Sequence, residues 1–270
     1  MKLGIIGCGN MAEAILNGIL KSGKIKDLEI SVIDIDKTKI EKFVSASKKI
    51  KACETYKQLF EKSEYIILSV KPQNFSGLFK EIKEYILSKH ILVSIAAGIS
   101  VNKISEFADG KNNLKIVRIM PNTPALVFKG MSGIYFNEFI NDAEKTIIKN
   151  IFESLGKVLV VEVEEQMNLI TAVSGSGPAY LFYFAECFIK AAQSLGFDYE
   201  SSRTLVYSTI EGASKLMIES NDSAEQLRRK VTSPGGTTEA AIKCFSEHKF
   251  EETVIEAVKS AKNKADELGK

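Results

Sequence analysis

Cysteine is scarce and scattered in this chain. Cys8, Cys53, Cys187 and Cys244 stand far apart with no C-x-x-C pair, which argues against a zinc ribbon or a disulfide framework and fits a reducing, cytoplasmic setting. Histidine is scarcer still: His90 and His248 are the only two, and neither lies in a motif, so a histidine acid is not expected in the chemistry. An excess of one charge is also missing. The 36 Lys and Arg are offset by 34 Asp and Glu, and the densest basic runs, Lys48-Lys49 and Arg228-Arg229-Lys230, are too short to form a nucleic-acid footprint. Long apolar runs do not occur. The N-terminal one, Leu3–Ile6, stops at Gly7, which fits a strand rather than a signal peptide or a membrane span. No metal, nucleic-acid partner or membrane is therefore expected.

What the sequence does contain is a change of rhythm near its middle. Through about Val161, short β-branched runs alternate with stretches of helical period, the pattern of a doubly wound parallel sheet. Strands are expected at Leu3–Ile6, Glu29–Ile33, Tyr65–Val70, Ile91–Ile95, Lys115–Ile119, Gly133–Phe136 and Val158–Val161. Helices are expected at Met11–Lys21, Thr38–Ser47, Phe75–Tyr85 and Asn141–Leu155, the last capped by Asn141 and closed by Gly156. Beyond Val161 only helix periodicity remains, in Pro178–Leu195, Glu200–Ser220 and Glu251–Glu267. The expected fold is thus α/β, a Rossmann-type doubly wound sheet over residues 1–162 followed by an all-helical domain over 163–270. The apolar faces of that second half suit either a self-contained core or burial against another subunit.

Gly7-Cys8-Gly9-Asn10-Met11-Ala12 follows the first strand and opens a helix, so it matches G-x-G-x-x-G/A in the context that gives the motif meaning. Gly7 permits the turn, Gly9 lets backbone approach a pyrophosphate, and Ala12 lets the helix pack closely. Asp34, at the end of the second strand, is placed to accept from ribose hydroxyls and to repel a 2′-phosphate, while Lys37 and Lys39 could pair with one; the choice between NADH and NADPH stays open. Ser69-Val70-Lys71-Pro72, Ala96-Ala97-Gly98 and Met120-Pro121-Asn122-Thr123-Pro124 fall at further strand ends, on the edge where open α/β sheets bind ligands. In the helical half, Ser174-Gly175-Ser176-Gly177-Pro178-Ala179-Tyr180 and Val231 through Ala240 read as glycine-rich loops entering helices. Each would leave N–H groups aimed at a carboxylate or phosphate.

Taken together, these landmarks resemble, in order and over nearly all 270 residues, the pyrroline-5-carboxylate reductase family. The resemblance implies reduction of 1-pyrroline-5-carboxylate to L-proline by NADPH or NADH, the last step of proline biosynthesis. It also implies a helical dimerisation domain and a homodimer that can build larger oligomers such as a decamer. It places Ile6, Gly7, Cys8, Gly9, Asn10 and Met11 on the pyrophosphate, with Ser69, Val70, Lys71, Pro72, Ile95, Ala96 and Ala97 along the cofactor; their own positions at strand ends add Asp34 and Asn122 to the expected cofactor contacts. Ser176, Val231, Ser233, Gly235, Gly236, Thr237 and Thr238 are placed around the small-molecule substrate. Thr238 and Lys71 are the residues expected to take part in the reaction, Thr238 at the ring nitrogen. Two departures stand out: Thr55-Tyr56 replaces an Asn that touches the adenosine ribose in many members, and Asp34-Ile35-Asp36-Lys37 replaces a more polar or basic strand end. A β-hydroxyacid dehydrogenase would need a lysine early in the second domain, where this chain reads Tyr180-Leu181-Phe182-Tyr183 with none before Lys190.

Overall fold

A computed structural model describes residues 1–25 and 27–268. Eight strands form one sheet: β1 Lys2–Ile6, β2 Glu29–Ile33, β3 Ile50–Ala52, β4 Tyr65–Leu68, β5 Ile91–Ser94, β6 Lys115–Met120, β7 Gly130–Phe136 and β8 Gly156–Val161. They lie in the order 3-2-1-4-5-6-7-8. Neighbours from β3 to β6 pair in parallel, β7 turns back antiparallel to β6, and β8 runs parallel to β7. β4 and β5 are buried at every position, as continuous apolar runs covered by helices on both faces should be. The pleat divides the apolar side chains between two cores. Ile5 and Ile67 join Ile15 and Phe152 on one face, while Ile6 and Ile66 join Phe60 and Phe79 on the other.

The helices of this region are α1 Asn10–Ser22, α2 Lys37–Ala46, α3 Tyr56–Lys62, α4 Phe75–Ile82, α5 Val101–Phe107, α6 Asp142–Glu153 and α7 Gln166–Ile170. The Asn141 cap expected from sequence is a complete capping box with Glu144. Gly156, however, does not close that helix: Ser154 does, and Gly156 opens β8. A Cβ on Gly156 would collide with the Gly130 backbone, so the glycine serves close strand pairing rather than a helix end.

Five helices follow: α8 Gly177–Ser194, α9 Tyr199–Glu219, α10 Ala224–Lys230, α11 Thr237–Glu247 and α12 Phe250–Leu268. The chain forms two compact units, residues 1–178 with 261–270, and residues 179–260. The first unit therefore extends past the 162/163 break expected from composition. Its extension is held by side chains: Glu164 accepts from Arg118 Nη1 at 2.6 Å and from the Val101 N–H at 2.7 Å, and Asn168 donates to Asp266 at 2.9 Å. The second unit has a small core of Ala185, Ile189 and Val206, flanked by Ile210. Among the described residues, no helix is long and apolar enough to cross a membrane.

Candidate active site

The strand order reverses at β1, whose neighbours are β2 and β4, and this is the position where doubly wound sheets open a crevice at the carboxyl ends of their strands. Backbone bonds place the loops leaving those ends side by side. The Gly7 N–H donates to Ile33 O at 2.9 Å, Ser69 N–H to Ile6 O at 2.8 Å, and Ile95 N–H to Leu68 O at 3.3 Å. Gly7 has φ of +95°, and a Cβ there would lie 2.7 Å from Ser69 O, so only glycine lets the first and fourth strand ends touch. Over Gly9 a Cβ would meet nothing within 4 Å. Gly9 also caps α1 without any side-chain bond. The opening N–H groups of α1 thus face clear space at the positive end of a thirteen-residue helix, a cradle that fits a diphosphate.

Asp34 behaves differently from a simple ribose acceptor. Its Oδ2 accepts from the Cys8 N–H at 2.5 Å and its Oδ1 from the Asp36 N–H at 2.8 Å, which fixes the carboxylate against the glycine loop. Burial first, and then the Asp34 charge, push the Cys8 thiol up to about 12, so Cys8 is not a nucleophile. Asp36 caps α2 through Thr38, and Lys39 lies 3.6 Å from it. β4 ends at Leu68, two residues earlier than the sequence implied, because Ser69 and Val70 already turn toward the crevice. Lys71 is exposed and precedes a 3₁₀ turn at Pro72–Asn74. Ala96 is buried beside half-exposed Ile95 and Ala97 after β5. Thr55 is occupied in capping α3, whereas burial and the Glu81 and Asp34 carboxylates raise the Tyr56 hydroxyl. Tyr56 itself is half-buried against the second core.

The first glycine-rich segment of the helical half is not a loop. Thr171–Gly175 is a π turn between α7 and α8, and the Ser176 N–H donates back to Thr171 O at 2.9 Å. The expected outward-facing N–H at Ser176 is therefore satisfied internally. Asn122, expected along the cofactor, is buried and spends its amide on Ser174 and on the Met131 N–H.

The second segment is a turn as expected. Val231 closes α10, Gly236 caps α11 without a side-chain bond, and Gly235 takes φ of +71°. Two of the N–H groups that this turn was expected to aim at an anion already have partners: Gly235 N–H donates to Glu239 Oε2 at 2.8 Å, and Gly236 N–H to Ser233 O at 3.0 Å. Those of Thr237 and Thr238 open the helix and have no intrahelical acceptor. A cavity of about 550 Å³ beside the turn is lined by Thr232, Gly235, Gly236, Glu239 and Lys243 among others. The helix that should attract an anion thus already holds one, the chain's own Glu239.

Neither histidine is placed as an acid. His90 is 1% exposed with both ring nitrogens bonded to backbone, and His248 lies against Cys244 at the end of α11. Among the described residues, no group of three or more His, Cys, Asp or Glu could hold a metal.

Two family models match the chain: residues 2–98 fit "NADP oxidoreductase coenzyme F420-dependent", and residues 164–268 fit "Pyrroline-5-carboxylate reductase dimerisation". The pyrroline-5-carboxylate reductase 2 of Bacillus subtilis is 32% identical, covering 99% of this chain and 95% of that one. A pyrroline-5-carboxylate reductase structure from Coxiella burnetii superposes with a TM-score of 0.89 at 34% identity, covering 100% and 98%. That of Plasmodium falciparum, with NADP bound, gives 0.88 at 31% over the same shares.

Proposed function

Given that the chain belongs to the pyrroline-5-carboxylate reductase family, we propose that it reduces 1-pyrroline-5-carboxylate to L-proline with NADPH or NADH, closing proline biosynthesis in the cytoplasm. The observation that carries this reading is the pairing, in one chain, of two helices that each open on a bare glycine cap, α1 at Gly9 and α11 at Gly236. One suits a diphosphate and the other a small carboxylate.

The reduced nicotinamide, when bound, supplies the hydride. In the reading proposed here, the N–H groups from Gly9 to Met11 hold its diphosphate, with Gly7 and Cys8 shaping the turn beneath it and Ile6 lining its base. Asp34 meets the adenosine ribose. Ser69, Val70, Lys71 and Pro72, with Ile95, Ala96 and Ala97, line the path toward the nicotinamide. The substrate ring is a cyclic imine that accepts hydride at carbon most readily with its nitrogen protonated. Thr237 and Thr238 N–H groups take the carboxylate, with Gly235 and Gly236 shaping the turn and Val231, Ser233 and Ser176 bordering the ring. The Thr238 hydroxyl accepts from the iminium N–H and keeps the proton there during transfer. The proton itself comes from solvent, since both histidines are otherwise engaged. Positioning is the main contribution of the protein.

The reading divides the chain functionally at 162/163, consistent with a dimerisation match that begins at 164. The dimerisation match supports self-association through the helical half, and the homodimer and larger assemblies of dimers are part of the proposal. The test is direct: purified protein is mixed with pyrroline-5-carboxylate and either NADPH or NADH, and reduced-cofactor absorbance is followed. Loss of absorbance with proline formation is expected. No loss with either cofactor overturns the reading.

A further inference from the structure

The amide of Asn122, near the carboxyl edge of the sheet, is fully engaged. It follows β6, is only 9% exposed, and makes three bonds. Its Oδ1 accepts from the Met131 N–H at 2.9 Å, while Nδ2 donates to Ser174 O and to Ser174 Oγ, each at 3.2 Å. The orientation is forced by chemistry. A backbone N–H can only donate, so the oxygen must face Met131, which turns the NH₂ toward the Ser174 carbonyl. Both amide hydrogens are then spent, and none is left for a dinucleotide.

The same strand end grips the next residue by packing. A Cβ on Gly175 would lie 2.4 Å from Met120 Cε, so Met120 covers Gly175 as Asn122 holds Ser174. Those two residues are the last of the π turn, where the Ser176 N–H reaches back to Thr171 O. A π turn is less stable than the α-helix it interrupts, survives where surrounding contacts specify it, and is found disproportionately at functional sites. Here the contacts come from residues about fifty positions earlier in the chain, all within the first compact unit.

We infer that Asn122 is a positioning residue for the imine-binding turn and not a ligand of the cofactor: through Ser174 it fixes the π turn, and with it the place of Ser176. The inference rests on the proposed function, in which Ser176 borders the substrate. It assigns Asn122 to the substrate side of the reaction, although its place at a strand end in the cofactor domain suggested the opposite.

The test uses N122D, S174A and the double variant in the full-length enzyme. In N122D the Oδ1 acceptor for Met131 is kept and both donors to Ser174 are lost; S174A removes a single hydroxyl and keeps the carbonyl contact. Three quantities are measured: Kd for reduced cofactor by fluorescence titration without substrate, and KM and kcat for pyrroline-5-carboxylate. For N122D the KM should rise about tenfold, with cofactor Kd unchanged within about twofold. S174A should raise KM by about twofold or more, and the double variant should be no worse than N122D, since both act on one contact. A cofactor Kd that rises in step with KM, additive effects on KM, or lowered thermal stability with KM unchanged would each overturn the inference. Should N122D fail to fold, S174A decides by the same KM criterion. Absence of turnover in the wild type would instead overturn the proposed function, and the inference with it.

Discussion

Acid should destabilise this protein through His90 before its carboxylates are protonated. His90 sits just before β5, packed edge-on against Phe60 with ring centroids 5.2 Å apart. Its Nδ1 accepts from the Leu87 N–H at 2.9 Å, which leaves the proton on Nε2 to be donated to Phe60 O at 3.1 Å. Protonating the ring would set two N–H groups against each other and bury a charge. Burial chiefly, with Lys89 and Lys111 nearby, lowers its pKa to about 4 from an ordinary 6.5, against a smaller opposing effect of the Phe60 carbonyl. Because the folded pKa lies below the unfolded one, the unfolded chain binds the proton first. Stability is complete above pH 6.5 and falls as the pH drops toward 4, by about 1.4 kcal/mol per unit. Between pH 7 and pH 5 the loss is about 2 kcal/mol, a fall in Tm of about 4–8 °C for a chain of this size. The carboxylates held below their ordinary range, Asp36, Asp198 and Asp222, lose their contribution only at lower pH. The assay is thermal and urea denaturation of wild type and His90→Gln at pH 7, 6 and 5. Glutamine offers an acceptor and a donor but cannot titrate, so its curve should lie lower at pH 7 and run flatter below it. Parallel curves for the two proteins would refute the reasoning.

Three further outcomes follow from the site. Gly7→Ala forces a Cβ onto Ser69 O at positive φ and should cost about 1–3 kcal/mol of stability and most of the cofactor affinity; denaturation and fluorescence titration check both, and native-like cofactor binding would contradict the crowding. Asp34→Ser removes the negative charge from the ribose end and should shift the ratio of kcat/KM for NADPH over NADH upward by about tenfold or more, read by the two-cofactor assay; an unchanged ratio would place the 2′-position elsewhere. Glu239→Gln removes the carboxylate from the Gly235 N–H and should lower KM for pyrroline-5-carboxylate about twofold to fivefold at constant kcat, whereas a raised KM would show that Glu239 supports the turn instead of competing for it.

The parts of the fold that could be read in the sequence are those in which one segment carries its own signal. β4 and β5 are unbroken apolar runs because both their faces are covered, and the Gly7 turn is legible because strand, glycines and helix are contiguous. β3 escaped notice because it has three residues, two of them exposed. The seven-residue helices α3 and α5 are shorter than the window in which a helical period declares itself. Ser174 to Gly177 reads locally as a loop, since glycine and serine punctuate loops far more often than helices. What makes it a π turn is Met120 and Asn122, remote in sequence. The same limit applies to Asp34 and Glu239: an acidic residue is visible in the chain, but the N–H that it accepts from is not.

The contrast between the two compact units bears on where activity resides. The first has two extensive apolar cores, one on each face of its sheet. The second buries three apolar side chains against Ile210 while Phe182, Tyr183 and Ile218 are each about two-thirds exposed. Ordering residues 179–260 costs on the order of 1 kcal/mol or more per residue, which so small a core cannot offset. Its apolar helices therefore need a cover, and self-association through this half supplies one. The proposed carboxylate-binding turn at Gly236 lies in this unit and the dinucleotide cradle in the other, so the two should respond differently to dilution. As protein concentration falls through the dissociation range, measured by sedimentation, turnover per chain should collapse while cofactor still binds with little loss of affinity. A monomer that keeps full turnover would show that the helical unit holds its turn unaided.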